Sequence, residues 1–351
     1  MPTFSIHNVR LAGVAAAVPP VRKVEWQELG IPPERFKRAR SFNGKPSVRA
    51  AKWEQCQSDF CARAAERLLH DLSWSPASVE LIVMVTMTPD YPIPATAIIM
   101  QDRLGLSKSS VAFDLPGSGA TLFHGLQLVS SILSSGCLRR ALLLCGEVSK
   151  VVEGPDAIEN VEHICGHNGG VLAFEHSPGA APMCFNAGGD GAFDAAFQMP
   201  VGGTRRPPRR EMFSTNGAAT FDNPAVQFKL DLGVCDEVAL RELPSSARAA
   251  LAEAGERIED IDFCFVQPMG ITTEEALRAE LGVRKDRFHG FTHEYGAGGS
   301  GGIVLGMLSR AASQLQNGPR TSLWTGIGAG LAWASAVIHT DGIVCPDLIE
   351  M

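Results

Sequence analysis

Apolar runs alternate with amphipathic stretches along the chain, and the alternation occurs in two successive sets. In the first half, apolar runs near Val9–Ala17, Val79–Met87, Val111–Leu115, Arg140–Glu147 and Gly170–Phe174 predict strands. Helical spacing near Ser58–Leu72, Ala95–Leu104 and Gly119–Ser135 predicts the helices between them. On the third of these, Leu122, Leu126, Leu128, Ile132 and Leu133 surround the axis almost completely, which predicts a helix buried on nearly every side. The second half gives a helix at Glu237–Ala254, a strand at Phe263–Val266, helices at Glu274–Leu281 and Gly301–Gln314, and a hairpin at Ser322–Val337. This order is that of an α/β protein. Between the halves, Pro200 to Pro224 is rich in Gly, Pro and Arg and reads as a long surface loop or cap. The expected halves are 1–180 and 181–351, without short repeats or low-complexity tracts.

Composition narrows the class. Of 351 residues, 45% are hydrophobic and 20% charged, the balance of a globular chain with a sizeable core. A net charge of −7 argues against a general nucleic-acid binder. Nine cysteines without CxxC spacing suggest neither a disulfide framework nor a zinc site. Cys145, Cys184 and Cys264 lie in apolar runs and read as buried thiols of a reducing compartment, so a cytoplasmic location is expected. The first twenty residues lack a basic leader and read as a strand ending at Pro19-Pro20. The longest apolar run, Leu323 to Ile338, is Gly-rich and short for a bilayer, so a buried hairpin is expected and no membrane span.

The chemistry concentrates at Val111-Ala112-Phe113-Asp114-Leu115-Pro116-Gly117-Ser118-Gly119-Ala120-Thr121-Leu122, which reads as strand, tight turn and helix start. A nucleophile at such a turn has its amide at a helix N-terminus, where the macrodipole favours negative charge. This stretch resembles the active-site elbow of the 3-oxoacyl-acyl-carrier-protein synthase III (ketosynthase III) family, thiolase-fold condensing enzymes. The family pattern is Phe-Asp-hydrophobic, three small residues and the nucleophilic Cys; counted from Phe113, that Cys position is Gly119. Four further stretches carry the same resemblance in order. Thr88 to Leu106 (TPDYPIPATAIIMQDRLGL) is similar to the family's dimer-interface segment near the acyl pocket. Phe263-Cys264-Phe265-Val266-Gln267-Pro268 matches the strand bearing the catalytic His, with Gln267 at the His position. Tyr295-Gly296-Ala297-Gly298-Gly299-Ser300 resembles the Tyr-Gly-Asn-Thr-Ser loop, with Ala297 at the Asn position. Gly326-Ile327-Gly328-Ala329-Gly330-Leu331-Ala332-Trp333 resembles the Gly-rich hairpin near the family's C-terminus.

The resemblance implies a duplicated five-layer αβαβα sandwich. It also implies an altered site. In the family, Cys takes the acyl group while His and Asn stabilise the enolate formed when malonyl-acyl carrier protein loses CO2. Here Gly119 has no side chain, Gln267 cannot carry positive charge and Ala297 cannot donate a side-chain hydrogen bond. Without the activated nucleophile no acyl intermediate forms on that residue, and each lost oxyanion donor costs roughly 10²–10³-fold. Ordinary Claisen condensation is therefore not expected. The family's oxyanion hole is backbone, and its amides fall on Gly119 and Ala329.

Ser118, one residue before the empty position, is read either as a substitute nucleophile or as a small residue packed at the turn. A serine needs a base. His167, at the Asp of the family's Gly-Asp-Gly loop, is the candidate kept; His124 and His293 are further candidates, each with a structural reading beside it. Arg205, Arg206, Arg209 and Arg210 form the densest positive cluster, either a landing patch for acidic carrier protein or CoA phosphates, or a solvated loop. Arg38, Arg40 and Arg49 fall where the family binds the CoA nucleotide, but its Trp-containing entry motif is not recognisable, and Trp53 is a shifted substitute or a packing residue.

Two functions follow from the resemblance. One is an acyltransferase or priming protein handling acyl-CoA or acyl carrier protein thioesters in a fatty-acid or polyketide-type pathway. The other is a non-catalytic subunit, a pseudoenzyme that heterodimerises with an active ketosynthase III paralogue. Either way the expectation is a homo- or heterodimer, with no metal and no cofactor beyond the phosphopantetheine or CoA of the thioester.

Overall fold

The structure, a computed structural model, describes residues 2–23, 47–149, 166–209, 229–267, 270–290, 292–296 and 298–351. Its strands, in chain order, are β1 (Thr3–Ile6), β2 (Val9–Val18), β3 (Val21–Lys23), β4 (Ser47–Arg49), β5 (Leu81–Thr86), β6 (Val111–Pro116), β7 (Arg140–Glu147) and β8 (Asn168–His176). The second set is β9 (Met183–Gly189), β10 (Phe197–Gln198), β11 (Lys229–Leu230), β12 (Phe263–Gln267), β13 (Phe288–His289), β14 (Pro319–Gly328), β15 (Ala332–Asp341) and β16 (Ile349–Glu350). The main helices are α1 (Gln57–Asp71), α2 (Thr96–Arg103), α3 (Thr121–Ser134), α4 (Leu232–Ala254) and α5 (Ile271–Leu281).

Two six-stranded sheets result, ordered β16-β2-β8-β7-β5-β6 and β1-β9-β15-β14-β12-β13. Read from β6 and from β13, the first four pairings repeat the same sense, two parallel and then two antiparallel. That repetition is the structural signature of the duplication expected from the sequence. The terminal strands cross over: β1 joins the second sheet and β16 the first.

Burial divides the molecule into layers. Leu122, Phe123, Leu126, Val129 and Leu133 of α3 pack with Ile303 to Leu315 between the two sheets, in one cluster with Val83 of β5 and Trp324 of β14. The outer face of the first sheet buries Ile82 and Leu142 against Cys61, Ala65 and Leu68 of α1 and Met100 of α2. The outer face of the second sheet buries Cys264, Leu323 and Val337 against α4 and α5. The architecture is thus α-β-α-β-α, and strands covered on both faces read as continuous apolar runs.

Several elements differ in extent from the sequence-based expectation. The fourth helix starts at Leu232, five residues before Glu237, because the Asp231 carboxylate accepts from the Val234 amide at 3.1 Å and caps it. The helix expected at 301–314 is three contiguous pieces: Gly302–Gly306, a π-pitched Met307–Ala311 and Ala312–Leu315. Strand β9 was not expected; its sequence, MCFNAGG, mixes small and polar residues with few β-branched ones. Of the 200–224 cap loop, residues 202–209 are exposed, Val201 is buried and Pro200 half-buried, and 210–224 lie outside the described residues.

Asp114 of β6 ties sequence to architecture. Its carboxylate accepts from the amides of Thr96 at 2.6 Å and Ala97 at 2.8 Å, capping α2, whose own N-cap, Ala95, offers no side-chain bond. Asp114→Ala should lower the unfolding free energy by roughly 1–2 kcal/mol in urea titration; an unchanged midpoint would show that α2 does not depend on this cap.

Candidate functional site

The site forms where the C-terminal ends of β5, β6 and β7 in one sheet approach the tip of the β14–β15 hairpin from the other. After Pro116 the chain turns through Gly117, whose amide donates to Thr86 O at 3.0 Å, and Gly119 has φ +57° before α3 begins. Only glycine takes that conformation without steric cost. Space is equally restrictive: a Cβ on Gly119 would overlap Ile327 O and lie 3.0 Å from Gly328 Cα. From the other side, a Cβ on Gly328 would overlap Ser118 O and lie 2.7 Å from Ala120 N. Elbow and hairpin meet backbone to backbone, and the position that matches a nucleophile has no room for any side chain. Among the described residues, neither the Gly119 amide nor the half-buried Ala329 amide is spent on a backbone acceptor.

Ser118 points elsewhere. It is 3% exposed, and a Cβ on Gly299 would lie 3.2 Å from its Oγ while overlapping Glu147 Cγ. The hydroxyl therefore sits under the Gly-rich loop beside Glu147, and no histidine or carboxylate of the described residues hydrogen-bonds it.

Glu147, which sequence reading missed, is the organising group of this region. It is fully buried at the end of β7. Its Oε2 accepts from Thr86 Oγ1, the Met87 amide and Thr88 Oγ1, each at 3.0 Å, and its Oε1 accepts from Ser300 Oγ at 3.1 Å. Ser300 in turn accepts from the Gly146 amide at 2.8 Å. One carboxyl thus joins three segments: the end of β5, the end of β7 and the loop before the 302–315 helix. Burial lifts it from 4.5 to about 7, against the lowering effect of its hydrogen bonds. The one sequence signal was a charge closing the apolar run ALLLCGE.

The other expected site residues are placed as follows. Gln267 ends β12, 4% exposed, with its Oε1 buried and unpartnered. His167 accepts from the Ala51 amide on Nδ1 at 2.9 Å, a contact with the segment after β4, while the neighbouring Asn168 Nδ2 donates to Gly166 O and Gly298 O at 2.8 and 2.9 Å. Arg205, Arg206 and Arg209 are exposed, and among the described residues Arg205 and Arg206 pair with no carboxylate. Ala297, Arg210, Arg38, Arg40 and the side chain of His293 lie outside the described residues. Arg49 is engaged by Pro19 O, Glu350 and the Tyr295 ring, pinning the C-terminal strand. Among the described residues, the nearby thiol of Cys145 is fully buried, and desolvation raises it well above the ordinary thiol range. Among the described residues no cluster of His, Cys, Asp and Glu could hold a metal ion, and no helix is long and apolar enough to cross a membrane.

Residues 251–340 match the family described as 3-oxoacyl-[acyl-carrier-protein (ACP)] synthase III C terminal. The chain is 27% identical to a beta-ketoacyl-[acyl-carrier-protein] synthase III of Caldanaerobacter subterraneus subsp. tengcongensis, over 83% of this chain and 85% of that one. It is 28% identical to the synthase III 3 of Streptomyces coelicolor, over 80% and 82%. Among solved structures, a 3-oxoacyl-(acyl-carrier protein) synthase from Burkholderia xenovorans superposes with TM-score 0.88 at 25% identity, covering 100% of this chain and 99% of that one. The fold is also shared with the priming beta-ketosynthase of the R1128 polyketide pathway, with TM-score 0.79 at 22% identity over 96% and 98%.

The buried carboxyl makes a measurable demand. Because its folded pKa is raised, Glu147 contributes most below pH 4.5, and its contribution is lost as pH rises through about 7. The difference corresponds to roughly 3 kcal/mol. Glu147→Gln should flatten the pH dependence of the unfolding free energy over this window; a variant with the wild-type slope would mean that another group sets it.

Proposed function

We propose that this chain, a member of the 3-oxoacyl-acyl-carrier-protein synthase III family, serves a fatty-acid or polyketide-type pathway as a non-condensing subunit, dimerising with an active ketosynthase III paralogue in the cytoplasm. The observation that carries this reading is the contact at Gly119, where hairpin backbone fills the space that a nucleophile would need. Condensation by the family route needs an acylated Cys and an enolate held by His and Asn. Here the first position is closed, and the second is a buried amide with an unpartnered oxygen. Ser118, 3% exposed and hydrogen-bonded to no base among the described residues, supports the same reading, since a serine nucleophile requires proton removal.

Assembly has support from the surface. Strand β6 ends its sheet, and Tyr91 (58% exposed), Ile93 (85%) and Ile98 (45%) lie outside it on the segment that resembles the family's two-fold interface. Among the described residues β6 has a free edge, and such an edge together with exposed apolar side chains favours pairing with another chain. We assign the elbow to a half spanning 1–180 and the hairpin to a half spanning 181–351. In such a pair Arg205, Arg206, Arg209 and Arg210 would offer a basic landing patch for an acidic carrier protein or CoA phosphates.

A second reading, Ser118 acyl transfer, has one observation in its favour: the Gly119 and Ala329 amides have no backbone acceptor among the described residues and could polarise a thioester carbonyl. His167 as base would then have to act through a nitrogen other than Nδ1, which the Ala51 amide occupies.

The purified chain, given acyl-CoA and malonyl-acyl carrier protein, should form no 3-oxoacyl product above a no-enzyme control; turnover would overturn the non-condensing reading. Intact-protein mass spectrometry after incubation with a panel of acyl-CoA and acyl carrier protein thioesters should show no covalent adduct. An adduct on wild type that disappears in Ser118→Ala would instead establish acyl transfer. Sedimentation should give a dimer, alone or with a co-expressed paralogue; a monomer under both conditions would remove the subunit reading.

A further inference from the structure

The two oxygens of the buried Glu147 carboxyl meet different surroundings. Oε2 accepts from Thr86 Oγ1, the Met87 amide and Thr88 Oγ1, whereas Oε1 meets only Ser300 Oγ. A proton on this carboxyl therefore belongs on Oε1, and Ser300 Oγ is placed to receive it. That hydroxyl accepts from the Gly146 amide at 2.8 Å, and its single proton has a second acceptor, Val85 O at 3.0 Å, besides Glu147 Oε1 at 3.1 Å. With the carboxyl protonated, Glu147 donates to Ser300, Ser300 donates to Val85, and every group is paired. With the carboxyl ionised, the Ser300 proton cannot serve both acceptors.

Nothing nearby offsets the charge. The titratable groups that face Glu147 are the thiols of Cys61 on α1 and Cys145 on β7, both buried and pushed up, so neither is ionised. The neighbouring strand presents Asn168 and the elbow presents Ser118, both neutral. Glu147 forms no ion pair among the described residues. Its cover is also thin. A Cβ on Gly299 would overlap Glu147 Cγ and lie 3.2 Å from Ser118 Oγ, so this glycine packs directly on both. In the segment 298–302, GGSGG, only Ser300 has a side chain to anchor it. The other side-chain bond that holds the segment, from Asn168 Nδ2 to Gly298 O at 2.9 Å, does not titrate.

We propose that the 298–302 segment is a lid latched by the proton of Glu147: the protonated carboxyl ties it through Ser300 to Val85, and the ionised carboxyl releases it, removing the cover that Gly299 gives to Ser118 and Glu147. The device needs neither a partner chain nor acyl chemistry, so it stands apart from both functional readings. Burial lifts the carboxyl from 4.5 to about 7 in the closed form. Closure is therefore favoured fully below 4.5, and the opening constant rises about tenfold per pH unit up to about 7, then levels off.

The test is amide hydrogen exchange of the full chain from about pH 5 to 8, corrected for the intrinsic rate. The Gly301 and Gly302 amides, bonded to Gly298 O and Gly299 O in the closed lid, should lose protection about tenfold per pH unit up to about pH 7 and then hold level. The Leu142, Leu143 and Leu144 amides of β7 should stay better protected throughout, which separates lid opening from global unfolding. Glu147→Gln, whose amide donates to Ser300 at every pH, should remove the slope. If that variant does not fold, the infrared band of the protonated carboxyl in protein carrying 13C-labelled glutamate decides, and it should fade as the lid opens. Lid protection independent of pH, lid amides that exchange only together with those of β7, or a slope retained in Glu147→Gln would overturn the proposal. So would a carboxyl band already absent at about pH 5, if that variant does not fold.

Discussion

Everything distinctive about this protein depends on one contact, the packing of the 117–120 elbow against the Ile327–Gly328 backbone. In a duplicated α/β sandwich the two sheets are spaced by the helices between them, and α3 and the 302–315 run set that spacing here. The ends of the sheets need not touch. They do so here because glycines face each other: Gly119 with φ +57° on one side and Gly328 on the other. No cavity is left in front of Gly119. The hairpin backbone fills that space, and the elbow is part of the packing that holds the two sheets together.

A second constraint keeps that junction in register. A buried carboxyl is tolerated only when its oxygens are satisfied. Glu147 meets this condition by collecting donors from β5, the Thr88 turn and Ser300, and Asn168 adds two bonds from the neighbouring strand to Gly166 and Gly298. Such a network fixes the 298–300 loop more firmly than apolar packing would. The turns at 117–119 and 298–300 are joints of the sandwich, where strand, helix and hairpin are held together.

Much of this was legible in the sequence. The alternating apolar runs gave an α/β order and the family resemblance implied the layers, while α3 was identified as a core helix by its apolar residues, although the structure leaves His124 and Ser131 on an exposed side. The elbow was legible because Phe113-Asp114 and the small residues after it are constrained by a cap and a turn, both of which the structure contains. Glu147 was not, since a single acidic residue at the end of a strand looks like a surface charge until its four donors, from four separate residues, are placed around it. Nor was the direction of Ser118, because the residue before a positive-φ glycine can face either way and the answer depends on where Gly299 lies. The start of α4 was missed for a local reason: Leu232-Gly233-Val234 is a weak helix opening without the Asp231 cap.

The measurement that bears most directly on the close packing at the elbow is the unfolding free energy of Gly119→Ala. A single methyl group probes both the positive φ and the space before Ile327 O, without introducing any chemistry. A loss of roughly 2–5 kcal/mol is expected, combining left-handed strain with overpacking against backbone. A variant within about 0.5 kcal/mol of wild type would show that the elbow has room for a side chain, and would contradict the account.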